Sequence, residues 1–177
     1  MVNDQVPNQQ ISQISVMEAA KFFFSLDPNR EYFTKKEMAD VPGVSIPMAG
    51  NLRLNKLLHI AQMLYASKYG HYLFLEKMWA FEHGGIFYDV YRGFLSLADL
   101  RNNLEVNINA SIKGFLTKIY HYFKTYSDQQ LETFVHEDPA WVQTWKQETK
   151  QKSMPQNSEL LDYYQEFASH IVESIGL

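Results

Sequence analysis

The chain has 177 residues, 46% hydrophobic, 15% aromatic and 20% charged, so it can bury enough apolar surface to offset chain entropy, and global disorder is excluded. A formal net charge of −4 marks neither a basic nucleic-acid binder nor an acidic tail, and the absence of cysteine removes disulfides, thiolate nucleophiles and cysteine-based metal sites. There is no basic-then-apolar leader and no run near the roughly 20 apolar residues of a membrane helix, so a soluble, cytoplasmic protein with no membrane partner is expected.

Residues 1–15 are polar, rich in Gln and Asn and aperiodic, and read as a flexible leader. Val16 to Leu26 predicts a short buried helix with a dense aromatic patch, ended by Asp27-Pro28 because the residue before proline is pushed out of the helical region. Thr34-Lys35-Lys36-Glu37 fits a capping box and predicts a short helix to about Asp40. Val41 to Gly50 contains two prolines and two glycines and reads as a loop, completing an N-terminal helical extension over 16–50.

Asn51 is the expected N-cap of the principal helix. Leu54, Leu57, Leu58, Ala61, Leu64 and Tyr65 recur at three- and four-residue steps, which predicts an amphipathic helix stopping at Gly70. From Tyr72 to Phe81 the pattern loosens, and irregular structure with a small two-strand hairpin at Gly84-Gly85 is expected. Asp89 to Phe94 predicts a helical turn and Leu97 to Leu104 a further short helix. Ile112 to Tyr126 is helical, with Ile112, Phe115, Leu116, Ile119, Tyr122 and Phe123 on its apolar face. Ser127-Asp128-Gln129-Gln130 reads as a second capping box, opening a helix that stops near His136. Asp138-Pro139 supplies a cap followed by proline at the first helical position, predicting a helix from Ala140 to Gln147 with Trp141 and Trp145 one turn apart. Residues 148–157 are polar, contain Pro155 and read as a linker; 158–177 predict a docked C-terminal helix through Leu161, Tyr164, Ala168, Ile171 and Ile175. The sum is a mainly α, compact single-domain bundle of about seven or eight helices.

Chemistry is sparse. His121, His136, Glu137 and Asp138 are suitable metal ligands but lack HExxH or His-x-His spacing, so a cap or salt-bridge role is expected and no metal or cofactor. No G-x-S-x-G elbow is present, and Gly84-Gly85 lacks the spacing and Lys-Ser pair of a phosphate loop, so an enzyme is not expected and the glycines read as a tight turn. Lys113, Lys118 and Lys124 are too widely spread for a phosphate-tracking stripe, which makes nucleic acid an unexpected partner. Lys56, between Leu54 and Leu57, either lays its stem along apolar surface with its ammonium reaching a carbonyl or carboxylate, or stands exposed at the edge of the stripe. Trp79, Phe81, Tyr88 and Tyr91 are either core or a recognition surface.

Four elements combine: L-x-K-L-L-x-x-A-Q at Leu54 to Gln62, A-F-E-H-G-G-I at Ala80 to Ile86, Val90-Tyr91, and Asp138-Pro139-Ala140-Trp141. Together they resemble the Panacea domain, also described as a SocA-like antitoxin or phage-associated domain, over a core of residues 51–147. The resemblance implies signature positions, structural or partner-binding, at Lys56, Leu57, Leu58, Gln62, Gly84, Gly85, Tyr91, Asp138, Pro139 and Trp141. It implies a protein-binding module of bacteria and phages that neutralises a cognate toxin protein by direct binding. One branch of the family looks like a proteolytic adaptor delivering a toxin to an AAA+ protease. A nucleic-acid-binding regulator is the alternative from another class. Two departures stand out: Gly84-Gly85-Ile86 replaces the usual Gly-Pro-Val, and His59 replaces a favoured tyrosine. Gly85 is expected to loosen a turn that proline would stiffen.

Overall fold

The computed structural model describes residues 13–38, 48–100, 104–145 and 152–177. Within these lie seven helices and a two-stranded antiparallel sheet: α1 (Val16–Leu26), α2 (Ala49–Tyr69), β1 (Trp79–Phe81), β2 (Gly84–Ile86), α3 (Tyr88–Asp99), α4 (Ala110–Phe123), α5 (Asp128–His136), α6 (Pro139–Trp145) and α7 (Ser158–Ile175). This is the expected mainly α bundle with a minor strand pair. Most of the expected leader, the loop over 41–47, the end of the Thr34 helix at Asp40, the end of the Trp145 helix at Gln147 and the first part of the linker lie outside the described residues.

The organising element is α2, and it is not amphipathic. From Gly50 to Ser67 every residue except Arg53 is buried, because α1, α3, α4, α5, α7 and β2 all pack around it. Such a helix has no solvent face to pattern, and polar residues along it must find partners inside the protein. Its start also differs from expectation. Asn51 lies inside the helix, and the N-cap position is Met48, whose side chain makes no capping bond. The first amides find backbone acceptors instead, Ala49 N–H on Lys36 O at 3.0 Å and Gly50 N–H on Thr34 O at 3.1 Å. A Cβ on Gly50 would stand 2.3 Å from Thr34 O, so only glycine allows that approach. The expected Thr34 helix is therefore replaced by non-helical chain from Thr34 to Glu37: its carbonyls cap α2, Thr34 Oγ1 accepts the Lys36 amide, and Glu37 bridges to Met48.

Helix α1 occupies its predicted span, capped by Ser15 Oγ accepting the Met17 amide. Beyond it, the buried Asp27 carboxylate accepts the amides of Glu31, Tyr32 and Phe33. The Arg30 guanidinium donates to Phe24, Asp27, Ala98 and Leu100 carbonyls, tying the end of α1 to the end of α3. Helix α3 merges the two predicted pieces after the hairpin: buried Val90, Phe94, Leu97 and Ala98 keep helical spacing with no breaker between them. It ends at Asp99, and Leu104 is outside any helix. Helix α4 ends at Phe123, short of Tyr126. The α5 capping box forms as predicted, with Ser127 Oγ accepting the Gln130 amide and Gln130 Oε1 accepting the Ser127 amide.

The tail helix α7 docks along α2 through Leu160, Tyr164, Ala168 and Val172, four-residue steps that displace the expected Leu161, Ile171 and Ile175 to the flank. Residues 152–154, expected to be linker, instead pair with the outer edge of β1: Ala80 N–H donates to Lys152 O at 2.9 Å and Met154 N–H to Met78 O at 2.7 Å. An exposed strand edge needs partners for its backbone groups, and the polar segment supplies them while burying Met154. No helix among the described residues is long and apolar enough to cross a membrane.

Candidate functional site

The segment from Phe74 to Tyr91 contains the two short strands and the start of α3, and polar side chains from one stripe of α2 hold it. Gln62 clamps Phe74, its Nε2 donating to the carbonyl and its Oε1 accepting the amide, both at 2.9 Å. His59 Nδ1 accepts the Gly85 amide at 3.1 Å. Asn55 Oδ1 accepts the Phe87 amide at 3.0 Å, and Asn55 Nδ2 donates to Asn51 Oδ1, whose own Nδ2 donates to Tyr91 O at 2.9 Å. Residues 51, 55, 59 and 62 recur at four- and three-residue steps, so one buried stripe meets successive backbone groups of the hairpin region. The bonds to Phe74, Gly85 and Phe87 satisfy buried main-chain groups.

His59 is the hub of this arrangement. Because Nδ1 accepts from Gly85, the ring proton is on Nε2, which donates to Asp138 Oδ2 at 2.6 Å. Asp138 Oδ1 accepts the Tyr164 hydroxyl and the Ala140 amide, each at 2.8 Å. His59 and Asp138 are fully buried, and burial followed by the neighbouring carboxylate raises the Tyr164 phenol well above its usual range. Three donors on one carboxylate lock α2, β2, the start of α6 and α7 together. A histidine, carboxylate and hydroxyl sealed from solvent form a staple between these elements.

The two departures from the Panacea pattern meet here. Proline at position 85 would have no N–H for His59, and a Cβ there would fall 2.9 Å from His59 Nδ1 and 2.6 Å from Met78 Sδ. Glycine at 85 and histidine at 59 are therefore one coupled choice: the histidine needs the amide and the space. Gly84, at φ +116, is the turn residue that requires glycine. The turn is held by the Gly85 amide, which offsets the looseness expected of a Gly-Gly pair.

Lys56 proves buried, with 4% of its side chain exposed. Glu132 Oε2 lies 3.6 Å from its ammonium and also accepts from His83 Nδ1 at 3.0 Å. Burial pushes the Lys56 pKa down, partly countered by Glu132 and Asp128. One turn earlier on α2, Arg53 grips both oxygens of Asp128 at 2.6 and 3.0 Å, which raises its pKa further. His136 donates from Nε2 to Glu82 O and stacks on Trp141 at 3.9 Å; burial lowers its pKa. Trp141 donates its indole N–H to Phe81 O. Leu57 and Leu58 are core, and Pro139 opens α6. Most signature positions thus serve the interior.

The outer side of the same hairpin is different. Trp79 and Phe81 alternate with buried Ala80, so their rings point away from the core and stay half-exposed. Tyr88 lies edge-on to both, at 5.2 and 5.6 Å, and Tyr91 packs 6.2 Å from Phe81. Beside them is a cleft of about 310 Å³ lined by Glu76, Lys77, Trp79, Tyr88 and Asp89. Of the expected signature residues, only Tyr91 contributes a ring to this face. Sequence reasoning missed Asn55, Glu132 and Tyr164 as site residues; the signal for the first was a polar stripe in a helix otherwise too apolar to be at the surface. Of the lysines along α4 and at its C-cap, Lys118 donates to Gly176 O at the end of α7 and Lys124 lies over the Tyr120 ring. Among the described residues no group of three or more His, Asp or Glu is placed to hold a metal ion. Comparison with protein-family models, with curated proteins and with solved structures finds no match to this chain.

Proposed function

We propose that the chain is an antitoxin-like protein-binding module that neutralises a cognate toxin by direct binding, as its resemblance to the Panacea domain implies. The observation that supports this reading best is the half-exposed aromatic face of Trp79, Phe81, Tyr88 and Tyr91, held on a hairpin that the interior rigidly anchors. Aromatic side chains on a pre-ordered surface bind at low entropic cost and dominate the centres of protein interfaces. The coupled His59 and Gly85 add support, since two departures from a family pattern that compensate each other fit a member of that family better than a chance likeness.

The test is co-expression with the product of the adjacent gene. Suppression of its toxicity and co-purification of the two proteins are expected, with both lost when Trp79 and Phe81 are changed to alanine in a chain that still folds. A neighbour that stays toxic and uncomplexed would sink the reading for that pair.

A further inference from the structure

The cleft beside the aromatic face has a chemistry more specific than an apolar patch. It is lined by the rings of Trp79, Phe87 and Tyr88 and by the side chains of Glu76 and Asp89, with Val16 and Lys77 completing it. Glu76 is fixed in place, with Oε1 accepting the Val16 amide at 3.0 Å, leaving Oε2 without a described hydrogen bond. Asp89, exposed in the first turn of α3, makes no hydrogen bond or ion pair among the described residues. A second cleft, of about 410 Å³, continues past Glu76 to Ile14 and to Leu75, which is 66% exposed. The aromatic cluster already accepts a planar cation: the Arg92 guanidinium stands over the Tyr88 ring at 5.3 Å.

We propose that this cleft is an anchoring pocket for an arginine side chain of the bound partner protein, with the guanidinium stacked on Trp79 between the Glu76 and Asp89 carboxylates and a neighbouring aliphatic residue on Leu75. This rests on the protein-binding reading and names the partner's chemistry at its contact. Arginine fits better than lysine, because a flat guanidinium stacks on indole while its edge donates to a carboxylate on either side. Charge agrees: the chain as a whole is acidic, at −4. The opposing groups are Lys77, which also lines the cleft, and Arg92 over Tyr88; neither makes an ion pair with Glu76 or Asp89 among the described residues.

The test uses the full chain, ¹⁵N-labelled, titrated with N-acetyl-arginine amide and, in parallel, with its uncharged isostere N-acetyl-citrulline amide. The Trp79 indole N–H resonance, identified by its loss in Trp79→Phe, is the readout. A saturable shift with the arginine probe alone is expected. Asp89→Asn should weaken the probe roughly fivefold, and Lys77→Ala should tighten it. No saturable shift, or equal shifts from both probes, overturns the proposal. If the probe binds but the neighbouring gene product does not, the pocket stands and the toxin assignment falls. If the toxin co-purifies while the probe leaves Trp79 unmoved, the arginine pocket alone falls.

Discussion

The two sides of the segment from Phe74 to Tyr91 are built from one stretch of chain and behave as different materials. Facing inward, Phe74, Gly85, Phe87 and Tyr91 give main-chain groups to Gln62, His59, Asn55 and Asn51, and the first three contacts are buried hydrogen bonds. Facing outward, Trp79, Phe81 and Tyr88 touch mainly each other. Removing an inner group strands a buried polar partner, which costs stability; removing an outer ring costs little stability but alters the surface. The two faces can therefore be broken separately, and the size of each loss measures how far that separation holds.

The largest loss is expected at Asp138→Ala, which leaves the His59 N–H, the Tyr164 hydroxyl and the Ala140 amide without their acceptor. About 3–5 kcal/mol should disappear from the unfolding free energy in urea, a large part of the stability of an ordinary domain. Gly85→Pro comes next, at about 2–3 kcal/mol, from the lost amide and the collision with His59 and Met78. Combined with His59→Tyr, the proline should cost less than the two single changes summed; strict additivity would refute the coupling of these positions.

Alkaline pH gives a graded test of the inner side. Burial raises the phenols of Tyr72 and Tyr120 to about 12, against about 10 in the unfolded chain, and raises that of Tyr164 well above its usual range. Folded pKa values above unfolded ones mean that this stability is complete below about pH 10 and is lost as pH climbs toward 12. Lys56 acts in the other sense, because its lowered pKa makes folding easier as the solution becomes basic, but it is one group against several phenols. Unfolding curves collected from about pH 8 to 11 should show a net fall, smaller in Tyr164→Phe relative to that variant's own neutral-pH value. The smallest effect on stability is expected from Trp79→Ala, about 1 kcal/mol, with toxin co-purification lost. A loss as large as that of Asp138→Ala would show that the outer face is core after all.

Much of this was legible in advance. Local signals held wherever the chain's own neighbours decide the outcome: Ser127 with Gln130, Pro139 at the start of α6, Gly70 at the end of α2, and α1 at both ends. They failed wherever a distant backbone decides. Thr34 and Glu37 match a capping box, but carbonyls in this segment are taken by amides of α2. Residues 152–154 look like linker because their pairing with β1 is a main-chain contact and leaves no mark on side-chain polarity. Lys56 was undecidable because spacing alone cannot distinguish a helix with one covered face from a helix covered all round. At the site, sequence pattern picked out Gly84, Gly85, Asp138 and Trp141 without revealing that His59 and Tyr164 join them, since that contact spans 79 residues from His59 to Asp138.

The wrapping of α2 also has a consequence on the ribosome. Its last lid, α7, begins about 90 residues after α2 ends, and translation at about 5–20 residues per second leaves a gap of roughly 5–20 s. Throughout that interval the flank of α2 that receives Leu160, Tyr164, Ala168 and Val172 lacks the cover that α7 gives it in the folded protein. A nascent chain stalled there would be a natural client for chaperones and proteases, so the cellular level of this protein should depend on how quickly α7 is delivered.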